Sequence, residues 1–315
     1  MNRNNKTSYT QQWNLHIQHR LAEDLVAEIG YVGNRGLHLT TFANANTALP
    51  GPGAVDPRRP YPVLGATSLM DNSGTSTYHG LQAKLDKRFS KGLTFRGNYA
   101  FGKAMDIGGS GFGASSSPQN PRDRKADYAL SSLHRTHIFS FDYVYQIPFG
   151  KGHSLGGNMG SIPNAILGGW EVTGIITARS GSPFNVGIGR DVANTGARSI
   201  SQRPNVIGDA YSGAQNAPDL WITKSAFVEP SPFTFGNLGR NRYIGPGFFQ
   251  MDFGGYKNFN IAERLLLQFR GEVFNVTNRA NFGNPDSNFD SGTFGRITGL
   301  TGSPLEAQLG LKIRF

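Results

Sequence analysis

The chain has 315 residues, a formal net charge of +10 and no cysteine; 42 glycines and 22 phenylalanines accompany a hydrophobic fraction of 37%. That mixture favours turns and strands over long helices, and no run of about 18 apolar residues is present to make a transmembrane helix. Lys and Arg fall singly or in pairs, with no basic helix and no aromatic-plus-basic RNA motif, so nucleic acid is not an expected partner. The opening MNRNNKTSYTQQW has no apolar leader core, and the lack of thiols fits a compartment where free thiols are a liability.

Strands follow one another along the chain, each read from strict alternation of apolar with polar or small residues. Trp13, Leu15 and Ile17 alternate with Gln12, Asn14, His16 and Gln18. Leu25, Ala27, Ile29 and Tyr31 alternate with Glu28 and Gly30. Leu81, Ala83 and Leu85 then alternate with Gln82, Lys84 and Asp86, and Leu93, Phe95, Tyr99 and Phe101 with Thr94, Arg96 and Asn98. Phe139, Phe141, Tyr143 and Tyr145 come next, followed by Trp170, Val172, Gly174, Ile176 and Ala178. Phe249, Met251 and Phe253 form the seventh segment, and Leu265, Leu267, Phe269 and Val273 the eighth. The ninth, EAQLGLKIRF, ends the chain with Ala307, Leu309, Leu311, Ile313 and Phe315 on one parity. Each segment is close to the roughly 9–11 residues that a tilted strand needs to cross a bilayer.

The connections have sides. Short turns lie around Ala22–Asp24, Phe89–Gly92 and Asn258–Glu263. Long, Gly-, Pro- and Asn-rich links fill Gly33–Ser76, Lys103–Leu133, Gly181–Pro246 and Thr277–Ser303, and Pro148–Gly168 is intermediate. A β-sandwich has no such asymmetry, whereas short turns on one side and long loops on the other are the layout of an outer-membrane β-barrel. The expected fold is therefore all-β: about nine antiparallel up-and-down transmembrane strands with long loops on one side, forming an open portion of a barrel.

Two residue sets follow from parity. Trp13, Tyr31, Tyr99 and Phe101 fall toward the long-loop end, and Phe89, Tyr145, Trp170 and Phe259 toward the short-turn end, as two aromatic girdles. Glu28, Lys84, Arg96, Glu171, Arg179, Arg270, Glu272, Lys312 and Arg314 occupy the opposite parity, where a hydrated lumen would receive them. Lys87 and Lys103 break the apolar parity only at strand ends.

Catalytic chemistry finds little support. His16 and His19, like His134 and His137, are three residues apart, so within a strand each pair faces opposite sides and cannot share a metal. The stretches GKGHSLGG and GGSGFG lack the phosphate-loop pattern, and no GxSxG elbow occurs. Asp106, Asp123 and Asp127, near Arg122, Arg124 and Lys125, read as a solvated charged loop. Arg58, Arg59, Arg240 and Arg242 read as basic loop residues available to lipopolysaccharide phosphates. Neither a catalytic site, a metal nor a cofactor is expected.

The stretches SYTQQWNLHIQHRL, EIGYVGNRGLHL, STYHGLQAKLDKRFSKGLTFRGNYAFGKAMD, LHRTHIFSFDYVYQIPFGKG, LGGWEVTGIITARSGSPFNV, FGNLGRNRYIGPGFFQMDFGGYKNF, ERLLLQFRGEVFNVTNRANFGNP and LGLKIRF run in one order through nearly the whole chain. Together they resemble the C-terminal barrel region of TonB-dependent receptors, specifically the Oar-like subgroup. The resemblance implies an outer-membrane receptor for uptake of a substrate that the poorly matching loops do not reveal. It implies a plug upstream of residue 1 that couples to TonB, so residues 1–315 are expected to be the C-terminal portion of a longer receptor barrel. Outer-membrane lipid and lipopolysaccharide are its implied surroundings. The tail is similar to the signal read by the barrel assembly machinery, with Gln308, Gly310, Ile313 and Phe315 on its polar, glycine, apolar and aromatic positions. The alternative is an outer-membrane adhesin or interaction barrel that transports nothing.

Overall fold

The computed structural model describes residues 5–107, 118–153, 155–197, 202–214, 218–262 and 265–315. Its nine long strands are β1 (Tyr9–Ala22), β2 (Leu25–Asn44), β3 (Ser68–Ser90), β4 (Leu93–Asp106), β5 (His137–Gln146), β6 (Trp170–Arg179), β7 (Phe248–Ala262), β8 (Leu265–Phe274) and β9 (Glu306–Arg314). They hydrogen-bond antiparallel in chain order from β1 to β9, and the path does not close, leaving β1 and β9 as the two edges. The short strand Ala129–Leu130 adds to the end of β4.

One register runs through the sheet. Ile17 faces Ile29, Ile29 faces Ala83, Ala83 faces Tyr99, Tyr99 faces Phe139, Phe139 faces Ala178 and Ala178 faces Phe249. Gly174, Phe253, Val273 and Ala307 continue the same face to the other edge. A slip of one residue would turn the apolar side chains of a strand to the polar face, so the alternation in the sequence sets the register. Lys91 and Gly92 both take positive φ, 49° and 79°, and make the two-residue hairpin between β3 and β4. Paired positive φ values give the twist that antiparallel strands need, which is why glycine follows lysine there.

β2 and β3 outrun the expected loop boundaries. They stay paired from Leu37–Thr75 to Asn44–Ser68, with register shifts around Leu39 and Thr41. Residues of the Gly33–Ser76 link therefore build a hairpin arm above the sheet instead of a free loop. In the β5–β6 link, α1 (Ser161–Leu167) accounts for the intermediate length. The GGSGFG stretch lies outside the described residues.

The buried apolar core is not in the sheet. Every residue of β1 is exposed, as are most of β9. Phe184, Val186, Ala210, Ile222, Ala226, Phe227, Leu238, Tyr243 and Phe294 instead form one cluster contributed by the β6–β7 and β8–β9 loops. Two short pairs frame it: Pro183–Phe184 with Tyr243–Ile244, and Asn205–Val206 with Phe227–Val228. Phe227 packs edge-on against Tyr243 at 5.6 Å and Phe294 at 5.7 Å. The long loops are thus a folded cap with its own hydrophobic core, and bonds between loop backbones, such as Leu238 N–H to Pro204 O and Trp221 N–H to Gly295 O, satisfy polar main-chain groups.

Candidate functional site

Two surfaces and one cap make up the site. On the polar face, Glu28 stands opposite Lys84, and Asp86 pairs with Lys84 at 3.3 Å and with Arg96 at 3.2 Å. His16 contacts Glu28 at 3.0 Å on the same face. Gln146 Nε2 donates to Glu171 at 3.5 Å, and the Arg179 guanidinium lies 4.5 Å from the Phe248 ring centre. Tyr256 donates to Glu272 at 2.6 Å, Gln308 donates to the other Glu272 oxygen, and Arg270 Nε donates to Gln268 at 2.7 Å. Lys312 stands opposite Gln268 and Arg314 opposite Leu266. Gln18, Val26, Glu28, Lys84, Asp86 and Arg88 line a crevice of about 230 Å³ on this face. The charges alternate in sign, so the surface suits hydration and weak polar contact better than a single tightly held ion.

On the apolar face the rings fall into two rows. Trp13, Tyr31, Tyr99 and Phe101 lie nearer the long loops, and imidazoles stand among them. Tyr31 Oη is 2.7 Å from His79 Nδ1, Tyr99 Oη is 2.6 Å from His137 Nδ1, and Phe101 packs 5.1 Å from His137. Trp13 lies directly over Gly33, where a Cβ would meet the indole at 2.2 Å, so the glycine makes room for the ring. Phe89, Tyr145, Trp170 and Phe259 lie nearer the short turns. Periodicity missed one residue here: Lys257, opposite Trp170 and Phe269 on the apolar parity. Counting in twos from Phe253 would have found it. It is buried, donates to the Gly168 carbonyl, and stands 5.4 Å and 5.2 Å from the Trp170 and Phe259 rings. Lys87 is likewise held at its turn by Asp24 and Ser90.

The cap corrects two expectations. Of the charged group expected to be solvated, Arg122, Asp123 and Lys125 are exposed, whereas Asp106, Arg124 and Asp127 are drawn into ion pairs. Asp127 is buried against Arg203 at 2.7 Å, Asp106 pairs with Arg240, and Arg124 pairs with Asp71 at 2.9 Å. Nor are Arg58, Arg59 and Arg240 free for external phosphates. Arg58 donates to the Asn194 and Leu49 carbonyls, Arg59 to Asn46 O at 2.6 Å, and Arg240 to Asp127 O at 2.9 Å. Arg242 remains exposed. Arg122 adds bonds to Thr47 O and Ala48 O, and Gln119 joins Gly236 O to the Arg203 amide. Guanidiniums carry five donors in a fixed fork, so they join carbonyl-rich loops efficiently. That pattern is invisible when loops are read one at a time.

The histidine pairs do not converge. His16 and His19 lie on opposite faces of β1. His134 is buried in the β4–β5 loop, where its Nδ1 accepts from the Ala104 amide at 3.3 Å, while His137 begins β5. Burial, then Arg135 and Lys103, push the His134 imidazole below its ordinary value. Among the described residues, no group of three His, Asp or Glu side chains is placed to hold a metal ion.

A family model described as "Outer membrane beta barrel domain" matches residues 1–309. The chain belongs to that family. The outer membrane transporter YddB from Escherichia coli has a similar structure, with a TM-score of 0.53 at 8% sequence identity. The match covers 98% of this chain and 33% of YddB, so the chain spans about a third of that transporter's length. At that identity the likeness concerns the fold alone. A search of curated proteins returned no match.

In outer-membrane barrels generally the apolar parity meets lipid, the polar parity lines the interior, short turns face the periplasm and long loops the exterior. The folded cap stands at the long-loop end of the sheet and the Lys257 corner at the short-turn end. Of the tail residues, Gln308 and Gly310 sit in β9 opposite Glu272 and Arg270, Ile313 stands opposite Leu267, and Phe315 follows the strand fully exposed.

Proposed function

We propose that the chain is the C-terminal barrel portion of a TonB-dependent receptor of the Oar-like kind, taking up a substrate across the outer membrane, and that it is not an enzyme. One observation carries this reading. A cap of interlocked loops stands at the outer end of a sheet whose polar face is lined with mixed charge. A cap fastened by buried ion pairs presents a fixed surface to an incoming ligand, and a mixed-sign lining passes polar cargo without trapping it. The likeness to a transporter of which this chain spans a third supports the reading, as do the two unpaired edges, which further strands would close. Substrate would enter past the loops, and a plug encoded upstream would contact TonB.

Two further contacts belong to the proposal. The barrel assembly machinery would read Gln308, Gly310, Ile313 and Phe315, and lipopolysaccharide would surround the outer girdle with Arg242 exposed above it. In-cell cross-linking tests the central step. The product of the intact gene, captured through a tag in the extracellular cap, is expected to carry TonB in energised cells. A product that assembles in the outer membrane but never captures TonB would be an interaction barrel and would overturn the proposal.

A further inference from the structure

The β5–β6 link differs from the other periplasmic connections because it folds. From Leu155 to Trp170 the sequence contains no Asp, Glu, Lys or Arg. Within it, Ile162 is 77% exposed, Ile166 62% and Leu167 52%. Ile162 and Ile166 are four residues apart and share one face of α1. Asn164 is the one α1 side chain turned inward. Its Oδ1 accepts from the Lys151 amide at 2.6 Å, and a Cβ at Gly150 or Gly168 would meet the same oxygen at 2.5 Å. Two glycines thus let the link close around Asn164 and turn its apolar side chains outward. Apart from Ser161 and Asn164 every α1 residue is apolar, and an exposed apolar helix face of this kind is normally covered by protein or lipid, not by water.

Position says which. The Trp170 indole Nε1 donates to Ile166 O at 3.0 Å, and Lys257 Nζ donates to Gly168 O. Both side chains belong to the lipid-facing parity, so they fasten the end of α1 to the lipid side of the barrel wall. They do so level with the periplasmic aromatic row, where ring belts mark the headgroup layer. The apolar surface of α1 therefore continues the lipid-facing surface of the sheet. We infer that the β5–β6 link is a membrane-surface anchor: α1 lies on the periplasmic phospholipid leaflet with Ile162, Ile166 and Leu167 in the acyl boundary. Because the segment is uncharged, the anchoring is hydrophobic, unlike that of basic interfacial helices drawn to anionic lipid. The same anchor gives Lys257 its carbonyl partner, shielding a cation among lipid-facing rings.

These 315 residues contain no cysteine, so single labels are introduced in a full gene product from which any cysteine elsewhere has been replaced by serine. Single variants Ile162→Cys, Ile166→Cys and Leu167→Cys carry an environment-sensitive fluorophore in the full gene product, reconstituted in phosphatidylcholine vesicles. Phe141→Cys on β5 supplies the lipid-facing reference and Ser212→Cys in the cap the aqueous one. The expected result is blue-shifted emission at 162, 166 and 167, quenched by doxyl-phosphatidylcholine as at 141, with loss of the iodide quenching seen at 212. That pattern should not change with salt or with added phosphatidylglycerol. Iodide quenching at 162 and 166 equal to that at 212, while 141 remains lipid-quenched, would overturn the inference. So would protection from both quenchers, which would mean that protein covers the helix.

Discussion

Lys257 Nζ stands 5.4 Å from the centre of the Trp170 ring, directly across the β6–β7 register, on the apolar face of the sheet. A lysine on that face costs about 2–4 kcal/mol at the bilayer midplane but only about 0–1 near an interface. A ring face returns about 0.5–2 kcal/mol, and the Gly168 carbonyl satisfies one N–H. Local sums of this size explain why the lysine is tolerated at the girdle. Lys257→Met is accordingly expected to change barrel stability by no more than about 1 kcal/mol. It should nevertheless speed amide hydrogen exchange across residues 155–169, because one of the two fasteners of α1 is lost. Unchanged exchange there would show that the lysine does not hold the link.

Arg203 and Asp127 make the most buried ion pair of the cap, with side chains 4% and 2% exposed. Removing one partner leaves an uncompensated buried charge, which costs about 3–5 kcal/mol. Arg203→Met is expected to loosen the β4–β5 and β6–β7 loops by that amount, read as faster proteolysis of the cap in intact cells. The double variant Arg203→Met/Asp127→Leu should recover most of the loss, because no charge is then stranded.

Phe227 packs against two rings of the cap core, Tyr243 and Phe294. Truncating a buried phenylalanine costs about 3–5 kcal/mol, so Phe227→Ala is expected to unfold the cap while the strands still insert. Limited proteolysis should then cut the β6–β7 loop, while heat-dependent migration in gels stays that of an assembled barrel.

At the short turn between β1 and β2, hydrogen bonds from Lys87 and then Ser90 hold the Asp24 carboxyl down to about 2 from 3.8. The folded state therefore favours the carboxylate. The contribution is complete above pH 3.8 and is lost as pH falls through about 2. Lys87→Met should weaken this dependence and leave the part that Ser90 supplies, so acid titrations of the two proteins should diverge above the window and converge below it.

Phe315→Ala is expected to lower the amount of assembled barrel in the outer membrane and leave unassembled chain in the periplasm, while Lys312→Ala, on the opposite face, leaves assembly unchanged. Equal assembly of both variants would remove the tail from recognition by the assembly machinery.

The wall of this protein was legible because a strand facing lipid on one side and water on the other must alternate. From Trp13 to Phe315 the same period of two fixes both strand and register. The sidedness of the connections was legible for the same reason, since short turns and long loops differ in composition. The cap was not. Its core draws Phe184, Phe227, Tyr243 and Phe294 from distant loop positions with no period, and its arginines bond carbonyls, which no side-chain pattern announces. Asp127 looked solvated because its partner, Arg203, lies far along the chain. Lys257 escaped notice because an aromatic-rich strand hides one cation, although its parity was plain.

Spin-label accessibility along β5 tests the two-faced wall most directly. Labels placed singly at Phe139, Ser140, Phe141, Asp142, Tyr143 and Val144 are compared for contact with oxygen dissolved in lipid and with an aqueous nickel chelate. The expected result is a period of two, with 139, 141 and 143 favouring oxygen and 140, 142 and 144 favouring nickel. Nickel contact at every position, or a period of two with the parities exchanged, would contradict an apolar face turned to the outer-membrane lipid.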